Sequence, residues 1–462
     1  MSKKTKTARL ALILTLALLL TTIAQAPSPV RSSATELTQY FVHLPVVMVS
    51  HAAVPSVFGV RMQHVSHAFG LTEAIEASVP TVRSVTFSWK LIEPVRTSPP
   101  TYVWTSVDWL GLENAAHNGL ELLATIHATP TWAQARPGYS CGPIKADQLD
   151  AFAQFLQALV NRFGGHPYHV HRWSVWNEPD VDWRLVNPDS GYGCWGDADQ
   201  PDYGGGVYAQ MLQAAYPAIK SAAPDAEVIA GGLLLNDPVS PSSRFVEGIL
   251  QGGGGPYFDA LGFHVYTYYL GSLGKMGNSN WPGSVTAIPE KAAFLQSLLD
   301  QYGFQHKALV TTEASLLVIS GNPSPDSLET QAMYVGRAYA EALSLGLEDL
   351  IYYSMTDDWA GRNNGLLRAN LSKKPSYYGY KTAVSFLSQA SYLAPAAGYP
   401  AGVEGYAFAL PNAQRTDVIW SIDGTPQTVT LPVGAAAYDR YGVGLGSGTV
   451  EVGYSPVYVV RH

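Results

Sequence analysis

The stretch 147–177 contains the two kinds of element that decide the fold. Its first part, DQLDAFAQFLQALVNRF at 147–163, places apolar residues three or four positions apart, which is typical of an amphipathic helix. Its last part, VHRWSVWN at 170–177, is a short apolar run of the kind found in buried strands. A helix that leads directly into a buried strand indicates parallel strands, because these need long crossover connections.

The same alternation repeats along most of the chain. We therefore predict the α/β class and a (β/α)8 TIM barrel with enlarged loops over residues 56–393. The alternative is an open doubly wound sheet, but a glycine-rich phosphate loop is expected after its first strand, where Met62-Gln63-His64 stands. The eight predicted strands are 57–62, 81–89, 121–128, 170–177, 226–233, 259–266, 307–313 and 348–355.

From about residue 394 the pattern changes to short strands separated by turn residues. We predict a small C-terminal all-β domain at 394–462 that packs on the barrel, because so short a segment is small for an independent sandwich. The strand-like patch at 44–49 is a candidate to complete its sheet. The domain has one tryptophan, Trp420, which favours a structural role over the alternative of a carbohydrate-binding module.

The N-terminus has the pattern of a secretory signal peptide. A basic start is followed by an apolar run at 10–20 and by the small-residue cleavage motif Ala24-Gln25-Ala26. An uncleaved anchor is the alternative, but the apolar run is shorter than the roughly 20 residues that span a bilayer. We predict a signal peptide at 1–26, a linker at 27–55, and a secreted, extracellular protein.

Composition and charge exclude several classes of protein. Only 14% of residues are charged and 47% are hydrophobic, which excludes disorder and coiled coil. The first 26 residues carry four basic residues and no acidic one, so their removal changes the formal net charge from −8 to −12. An acidic exported protein binds nucleic acid poorly. We expect neither nucleic acid nor, after cleavage, a membrane as partner, and the sequence does not indicate an oligomeric state.

Two cysteines, Cys141 and Cys194, are too few for a disulfide scaffold or a structural zinc site. In an oxidising compartment they suit a single bridge, and two separate buried thiols are the alternative.

Two predicted strands end in a carboxylate. The fourth ends in Asn177-Glu178-Pro179, and the seventh ends in Thr312-Glu313. The carboxyl ends of barrel strands form the catalytic face, and strands four and seven lie across its mouth from each other. Both carboxylates can therefore point into one pit. Such a pair suits glycosidic cleavage, in which one acid protonates the leaving oxygen and the other attacks or activates water.

These residues carry a resemblance to a known group of enzymes. Trp176-Asn177-Glu178-Pro179 together with Glu313 resembles clan A of the glycoside hydrolases, and the pattern at 82–132 is most similar to families 39 and 5. The resemblance implies that Glu178 is the general acid/base and Glu313 the nucleophile of a retaining double displacement. Further matches are Val82-Arg83, Trp89, Ile92-Glu93-Pro94, Pro130-Thr131-Trp132, Phe263-His264-Val265-Tyr266 and Lys374-Pro375.

The resemblance also implies roles for residues around the carboxylates. Asn177 is expected to hydrogen-bond the sugar 2-hydroxyl, whereas Arg83, His264 and Tyr266 are expected to orient Glu313 and keep it ionised. For Arg83 a barrel-interior ion pair is the alternative role, and for His264 and Trp89 the alternative is a place in the core. Tyr352 stands about where relatives have a tryptophan that stacks on the sugar, and Trp359 is the other candidate for that role. The residues expected to contact substrate as walls of the sugar site are Trp89, His127, Trp132, Trp176, Tyr352 and Trp359.

We therefore expect a secreted hydrolase, a retaining β-glycosidase of polysaccharides or oligosaccharides, without metal or organic cofactor. Its cleavage mode is open between an endo-glycanase and a β-xylosidase-like enzyme. The alternative from another class is a non-catalytic glycan-binding protein on a degenerate barrel. Retention of both Glu178 and Glu313 argues against that alternative, since a binding protein needs no matched acid and nucleophile.

Overall fold

The computed structural model describes residues 56–234, 238–318, 323–357, 362–411 and 413–461. The predicted signal peptide, the linker and the strand-like patch at 44–49 lie outside these residues. None of the helices in the described ranges is both long and apolar enough to cross a bilayer.

Eight parallel strands form a closed barrel, as the sequence predicts. Each strand pairs with the next along the chain, and the first also pairs with the eighth, so that Gly59 faces Thr81 on one side and Ile351 on the other. The strands are β1 (Phe58–Arg61), β2 (Thr81–Ser88), β3 (Glu121–His127), β4 (Arg172–Val175), β5 (Glu227–Leu233), β6 (Ala260–Tyr269), β7 (Ala308–Leu317) and β8 (Leu350–Tyr352).

A helix follows each barrel strand and covers the outside of the barrel. In the helix at Leu149–Phe163 the residues Phe152, Phe155 and Leu159 are buried, which confirms the spacing seen in the sequence. The helices are α1 (Leu71–Glu76), α2 (Trp109–His117), α3 (Leu149–Phe163), α4 (Gly205–Ala222), α5 (Arg244–Gln251), α6 (Ile288–Gln301), α7 (Pro325–Ser344) and α8 (Pro375–Leu387).

The C-terminal part is an antiparallel β domain. A six-stranded sheet has the order β9-β10-β11-β16-β13-β14, and β12 pairs with β15 in a second sheet. These strands are β9 (Ser391–Pro395), β10 (Val403–Ala409), β11 (Arg415–Ser421), β12 (Gln427–Thr430), β13 (Ala436–Tyr438), β14 (Gly444–Gly446), β15 (Thr449–Val452) and β16 (Val457–Arg461).

The β domain shares a hydrophobic core with the barrel. Phe408, Trp420 and Tyr458 belong to the same buried cluster as the barrel side chains. On the barrel side Phe386 of α8 stacks on the Tyr458 ring, with the centroids 4.8 Å apart. The prediction that this domain packs on the barrel is confirmed.

The opposite end of the barrel, where the strands begin, encloses a charged cluster. Arg172 at the start of β4 lies 2.5 Å from Glu227 of β5 and also contacts Asp349, which precedes β8. Burial raises the pKa of Asp349 to about 7, although Arg172 acts in the opposite direction.

Candidate active site

The segment that follows β4 turns sharply and places Glu178 at the barrel mouth. Trp176 and Glu178 have φ angles of 78° and 48°, in a region that residues other than glycine rarely adopt. The Trp176 amide donates to the Ile126 carbonyl at 2.8 Å, and the Glu178 amide donates to the Gly232 carbonyl at 3.1 Å. The ends of β3 and β5 therefore hold the turn. Strained backbone of this kind clusters at functional sites.

The loop after β4 packs on this turn at Gly193. The Gly193 amide donates to the Asn177 carbonyl at 2.6 Å. A Cβ atom at position 193 would lie 2.6 Å from Pro179 Cα and 2.8 Å from the carbonyl oxygens of Asn177 and Glu178. Glycine is therefore required for the loop to approach the turn this closely.

A disulfide joins Cys141, in the loop after β3, to Cys194, in the loop after β4. The Cys194 amide donates to the Cys141 carbonyl at 3.0 Å, and the same carbonyl accepts the Trp176 indole N–H at 2.9 Å. Of the two alternatives for the cysteines, the structure contains the bridge. It braces the rim next to the Glu178 turn.

Glu178 lies in an environment that favours its protonated form. Its side chain is buried, with Oε1 2.8 Å from His264 Nδ1, and Oε2 has no partner among the described residues. Burial and the nearby charges of Glu313 and Asp180 raise the pKa of Glu178 well above its ordinary value. His264 is neutral, because burial lowers the pKa of its imidazole to about 3. Glu178 is therefore a carboxylic acid with one oxygen unengaged.

Glu313 lies in an environment that favours its ionised form. Arg83 Nη1 donates to Oε1, the Tyr266 hydroxyl donates to Oε2, and His264 Nδ1 lies 3.7 Å from Oε2. Burial by itself would raise the pKa of this carboxyl group. The positive charge that His264 gains in the low pH range where Glu313 titrates, the Arg83 guanidinium and the hydrogen bond from Tyr266 outweigh burial and lower the pKa to about 2. The two strand-tip carboxyl groups thus have opposite protonation states.

The two carboxyl groups are close enough to act on the same bond. One oxygen of Glu178, one oxygen of Glu313 and one ring nitrogen of His264 all lie within 4.8 Å of one another. Retaining glycosidases have their two carboxyl groups about 5–5.5 Å apart, and inverting enzymes about 6.5–9.5 Å apart. The approach of one oxygen from each group to within 4.8 Å lets the two groups flank a single bond.

The same three side chains also have the spacing of a metal site. However, Arg83 donates to Glu313, which places a fixed positive charge where a cation would bind. Because its pKa is raised, Glu178 is protonated and offers no negative charge to a cation. The local charges therefore favour acid–base chemistry, and the absence of a metal stays a prediction.

Asn177 is held in one orientation by its two amide atoms. Its Oδ1 accepts from Arg83 Nη2 at 2.6 Å, and its Nδ2 donates to the Gly191 carbonyl at 3.2 Å. Arg83 therefore connects Asn177 to Glu313. The structure brings together around the two carboxyl groups the residues predicted to orient them or bind next to them: Arg83, Asn177, His264 and Tyr266.

A cavity of about 410 Å³ opens beside Glu313, within the size range of ligand sites. Its lining includes Arg61, Arg83, His127 and Asn177. Burial lowers the pKa of His127 to about 4, and its Nε2 is buried without a partner in the described structure. The cavity therefore presents a neutral imidazole, an amide and guanidinium groups, which suits a hydroxylated ligand.

Three aromatic residues predicted as walls of the sugar site, Trp89, Trp176 and Tyr352, are fully buried instead. Trp89 is enclosed by phenylalanines of α3 and by Trp132, whose half-buried ring is edge-on to it at 5.2 Å. Trp176 packs edge-on against Trp195 at 5.0 Å. The rings of Trp89 and Trp176 therefore support the site from behind, because other side chains cover them.

At the end of β8 the aromatic residue that contacts the site is Tyr353. Its ring lies edge-on to Tyr266 at 6.0 Å, and the Arg61 guanidinium carbon lies 5.5 Å from its centre. β8 ends at Tyr352, so the following residue occupies the strand tip. Trp359, the other predicted stacking residue, lies outside the described residues.

Besides Tyr353, Arg61 and Tyr192 lie near the carboxyl groups and were not predicted. Arg61 ends β1 and lines the cavity, so the strand-tip rule applied to the first strand would have identified it. Tyr192 lies in the irregular loop after β4, where no pattern marks it. Burial raises the pKa of Tyr192, and the charge of Glu178 adds to the rise.

Comparisons by sequence find no relative: no family model and no curated protein match the chain. Solved structures match over most of its length. A family 39 glycoside hydrolase from the gut symbiont Bacteroides cellulosilyticus WH2 has a TM-score of 0.67 at 17% identity, covering 88% of this chain and 81% of that chain. The chain has the fold of the clan A glycoside hydrolases.

Two further structures have the same fold. A family 39 β-xylosidase from Caulobacter crescentus has a TM-score of 0.57 at 14% identity and covers 89% of this chain and 97% of that chain. A family 30 endoxylanase from Clostridium papyrosolvens C71 has a TM-score of 0.57 at 16% identity, with coverage of 89% and 97%. The predicted resemblance to clan A is confirmed at the level of the fold.

Proposed function

We propose that the chain is a secreted retaining β-glycosidase that hydrolyses O-glycosidic bonds of a polysaccharide or oligosaccharide. The observation that carries the proposal is the pair of buried carboxyl groups at the ends of β4 and β7. Their pKa values are shifted in opposite directions, and one oxygen of each lies within 4.8 Å of the other. An acid and a nucleophile with these properties are what a retaining double displacement requires.

In the first step Glu313 attacks the anomeric carbon while Glu178 donates its proton to the glycosidic oxygen. The C–O bond to the leaving group breaks, an alcohol departs, and a covalent glycosyl ester forms on Glu313. The unengaged Oε2 of Glu178 is the oxygen that faces the leaving group in this assignment. The hydrogen bonds from Arg83 and Tyr266 keep Glu313 ionised for attack.

In the second step Glu178, now a carboxylate, takes a proton from water. The water oxygen attacks the anomeric carbon, the ester bond breaks, and Glu313 is released as a carboxylate. Both carboxyl groups return to their starting states, and the sugar keeps its configuration after two inversions. Asn177, fixed by Arg83 at 2.6 Å, is placed to bind the sugar 2-hydroxyl.

The substrate class follows from the same site and from the structural neighbours. The neighbours include a β-xylosidase and an endoxylanase. We propose a β-linked glycan as substrate, cleaved either internally or from one end, without metal or organic cofactor. The basic, apolar and small-residue segments at 1–26 support export of the chain.

Replacing each carboxyl group tests the assignment of the two roles. Glu313→Ala should abolish hydrolysis of an aryl β-glycoside, and added azide should yield a glycosyl azide of inverted configuration, because azide then attacks in place of the nucleophile. The reaction is followed by release of the aryl alcohol and by NMR of the product.

Glu178→Ala is the matched control on the opposite strand. With an activated leaving group it should still form the glycosyl ester, and azide should then give a glycosyl azide of retained configuration. Full hydrolysis by Glu313→Ala, or the same azide configuration from both variants, would overturn the assignment.

A further inference from the structure

A second cavity, of about 470 Å³, lies where the β domain meets the barrel. Within the described part of the chain it shares no lining residue with the cavity beside Glu313. Barrel residues of α6 and α7 form one wall, and residues of β10 and β11 form the other. Its volume lies within the range of small-molecule sites and exceeds that of a single water many times. We call it the interdomain cavity.

A buried arginine lines the interdomain cavity with unused donors. Arg337 of α7 has 1% of its surface exposed, and its Nε and Nη1 have no hydrogen-bond partner among the described residues. Its Nη2 is 3.7 Å from Glu404 Oε1, and its guanidinium carbon is 4.5 Å from the centre of the Trp420 ring. Buried donors without acceptors are costly and rare, so an acceptor in the cavity is expected to complete them.

Three carboxyl groups line the same space. Glu404 accepts the Trp420 indole N–H at 2.8 Å, Glu341 accepts from the Thr286 hydroxyl, and Glu290 also lines the wall. Burial raises the pKa of Glu341 to about 7. Among the described residues that line the cavity Arg337 is the one cation, so the carboxyl groups disfavour an anion. A cationic group could not accept from Arg337.

We propose that the interdomain cavity binds a neutral polyhydroxylated ligand, the end of an oligosaccharide chain, at a site separate from the carboxylate pair. Hydroxyl groups both accept and donate, so vicinal hydroxyls can accept from Arg337 Nε and Nη1 while they donate to the carboxyl oxygens of Glu404 and Glu290. The site does not depend on hydrolysis at Glu178 and Glu313.

The proposal assigns a role to the β domain that differs from stacking on tryptophan. Trp420 has 1% of its surface exposed and cannot offer a free ring face to a sugar. It instead supports Arg337 from below and fixes Glu404 through its indole N–H. Recognition in this cavity therefore rests on the polar groups around Arg337.

Hydrogen exchange with and without xylotetraose or cellotetraose tests the proposal. The full chain carrying Glu313→Gln is used to prevent turnover. We expect added protection of backbone amides at 283–290 and 403–406, which border the interdomain cavity. The variant Arg337→Met should need at least roughly ten times more ligand to reach the same protection, because two charged hydrogen bonds are lost.

Arg440→Met is the matched control, since Arg440 contacts Glu329 and Ser455 at the same domain interface but does not line the cavity. It should bind as the parent does. If Arg337→Met loses its cooperative unfolding transition, Glu404→Ala replaces it, because the Glu404 side chain is half exposed.

The outcomes separate this proposal from the proposed hydrolysis. Protection at 176–178 reports the carboxylate site, and protection at 283–290 reports the interdomain cavity. If neither sugar protects the amides at the interdomain cavity, the cavity is only a hydrated cleft and the proposal is overturned. Equal protection in the parent and in the cavity variants also overturns it.

Discussion

At the residue scale, Tyr266 is one of the groups that set the pKa of Glu313. Its hydroxyl and Arg83 donate to the two oxygens of Glu313, whose pKa is lowered to about 2 despite its burial. The pKa of Glu178 is raised by burial and by Glu313. Activity needs Glu313 ionised and Glu178 protonated. It should therefore rise as the pH passes the pKa of Glu313 and fall as the pH passes the pKa of Glu178.

The variant Tyr266→Phe removes one donor from Glu313. The pKa of Glu313 should rise, so the acid limb of the kcat/KM profile should move to higher pH. A hydrogen bond to a charged group contributes about 1.5–3 kcal/mol, so kcat should fall roughly tenfold to hundredfold. Initial rates on an aryl glycoside between pH 2 and pH 8 give both quantities.

Tyr268→Phe is the matched control on the same strand. Burial accounts for the raised pKa of Tyr268, with no contribution from either carboxyl group. Its pH profile should match that of the parent. An acid limb that stays in place in Tyr266→Phe would show that its hydroxyl does not set the ionisation of Glu313.

Sequence reasoning at this scale worked for residues whose position a strand fixes. Glu178 and Glu313 were predictable as neighbours, because the ends of β4 and β7 meet at one face of the barrel. The sequence left Trp89 open between the sugar site and the core, because a motif does not show which side chains enclose a ring. The difference between Tyr352 and Tyr353 is a single step along a strand, which reverses the direction of the side chain.

At the element scale, the loop after β4 behaves as a brace for the catalytic turn. Gly193 bonds the Asn177 carbonyl, and Cys194 beside it is tied to Cys141 in the neighbouring loop. A rigid support of this kind holds Trp176 and Glu178 in a backbone conformation that residues other than glycine rarely adopt.

The variant Gly193→Ala should disrupt that brace. The added methyl group would meet Pro179 Cα at 2.6 Å and two carbonyl oxygens at 2.8 Å, so the loop must move away from the turn. Overpacking of this kind costs about 1–3 kcal/mol. We expect a lower free energy of unfolding in urea, together with a lower kcat, because Glu178 moves with the turn.

The control for this variant is Gly165→Ala, in the loop after α3. A Cβ atom at position 165 has no neighbour within 4 Å. Gly165→Ala should keep the stability and the activity of the parent. Equal urea midpoints of unfolding for Gly193→Ala and Gly165→Ala would show that the close approach of Gly193 to the turn does not contribute to stability.

Elements with a strong period were predictable, and short exposed ones were not. The eight barrel strands follow from apolar runs between helical segments. β9 and β14 lack the alternation that marks a half-buried strand, because every residue in them is exposed. β6 and β7 run past their predicted ends, to Tyr269 and Leu317.

At the scale of the whole molecule, the charged cluster at the start of the strands makes stability depend on pH. The pKa of Asp349 is about 7 in the folded chain and about 3.9 in an unfolded one. The folded state therefore holds a proton that the unfolded chain releases. This stabilisation is fully present below pH 4 and is lost as the pH rises through 7.

The variant Asp349→Asn removes this titration. The free energy of unfolding of the parent should fall by roughly 2–4 kcal/mol between pH 4 and pH 8 from this group, and the variant should lack that part of the slope. Urea unfolding at several pH values measures it. Asp225→Asn is the control, since the Asp225 side chain is exposed. Parallel slopes in the parent and in Asp349→Asn would contradict the assignment.

The architecture as a whole was predictable because repetition constrains it. Eight successive pairs of strand and helix indicate a closed barrel even where the bounds of single elements are inexact. The β domain was recognisable by the loss of the helical period near residue 394. The interdomain cavity was not predictable, since Arg337 and Glu404 lie far apart in the sequence and meet through packing alone.

The core that Phe408, Trp420 and Tyr458 share with the barrel limits how the molecule can be re-engineered. Exchanging the β domain for a foreign module would cut through buried apolar surface, so such chimeras should be insoluble unless the α7 and α8 faces are redesigned with it. The loop after β4 carries a comparable constraint, because its Cys194 is tied to Cys141 beside the catalytic turn. New specificity is therefore better sought by changing single residues that line the cavity beside Glu313 than by exchanging whole loops or domains.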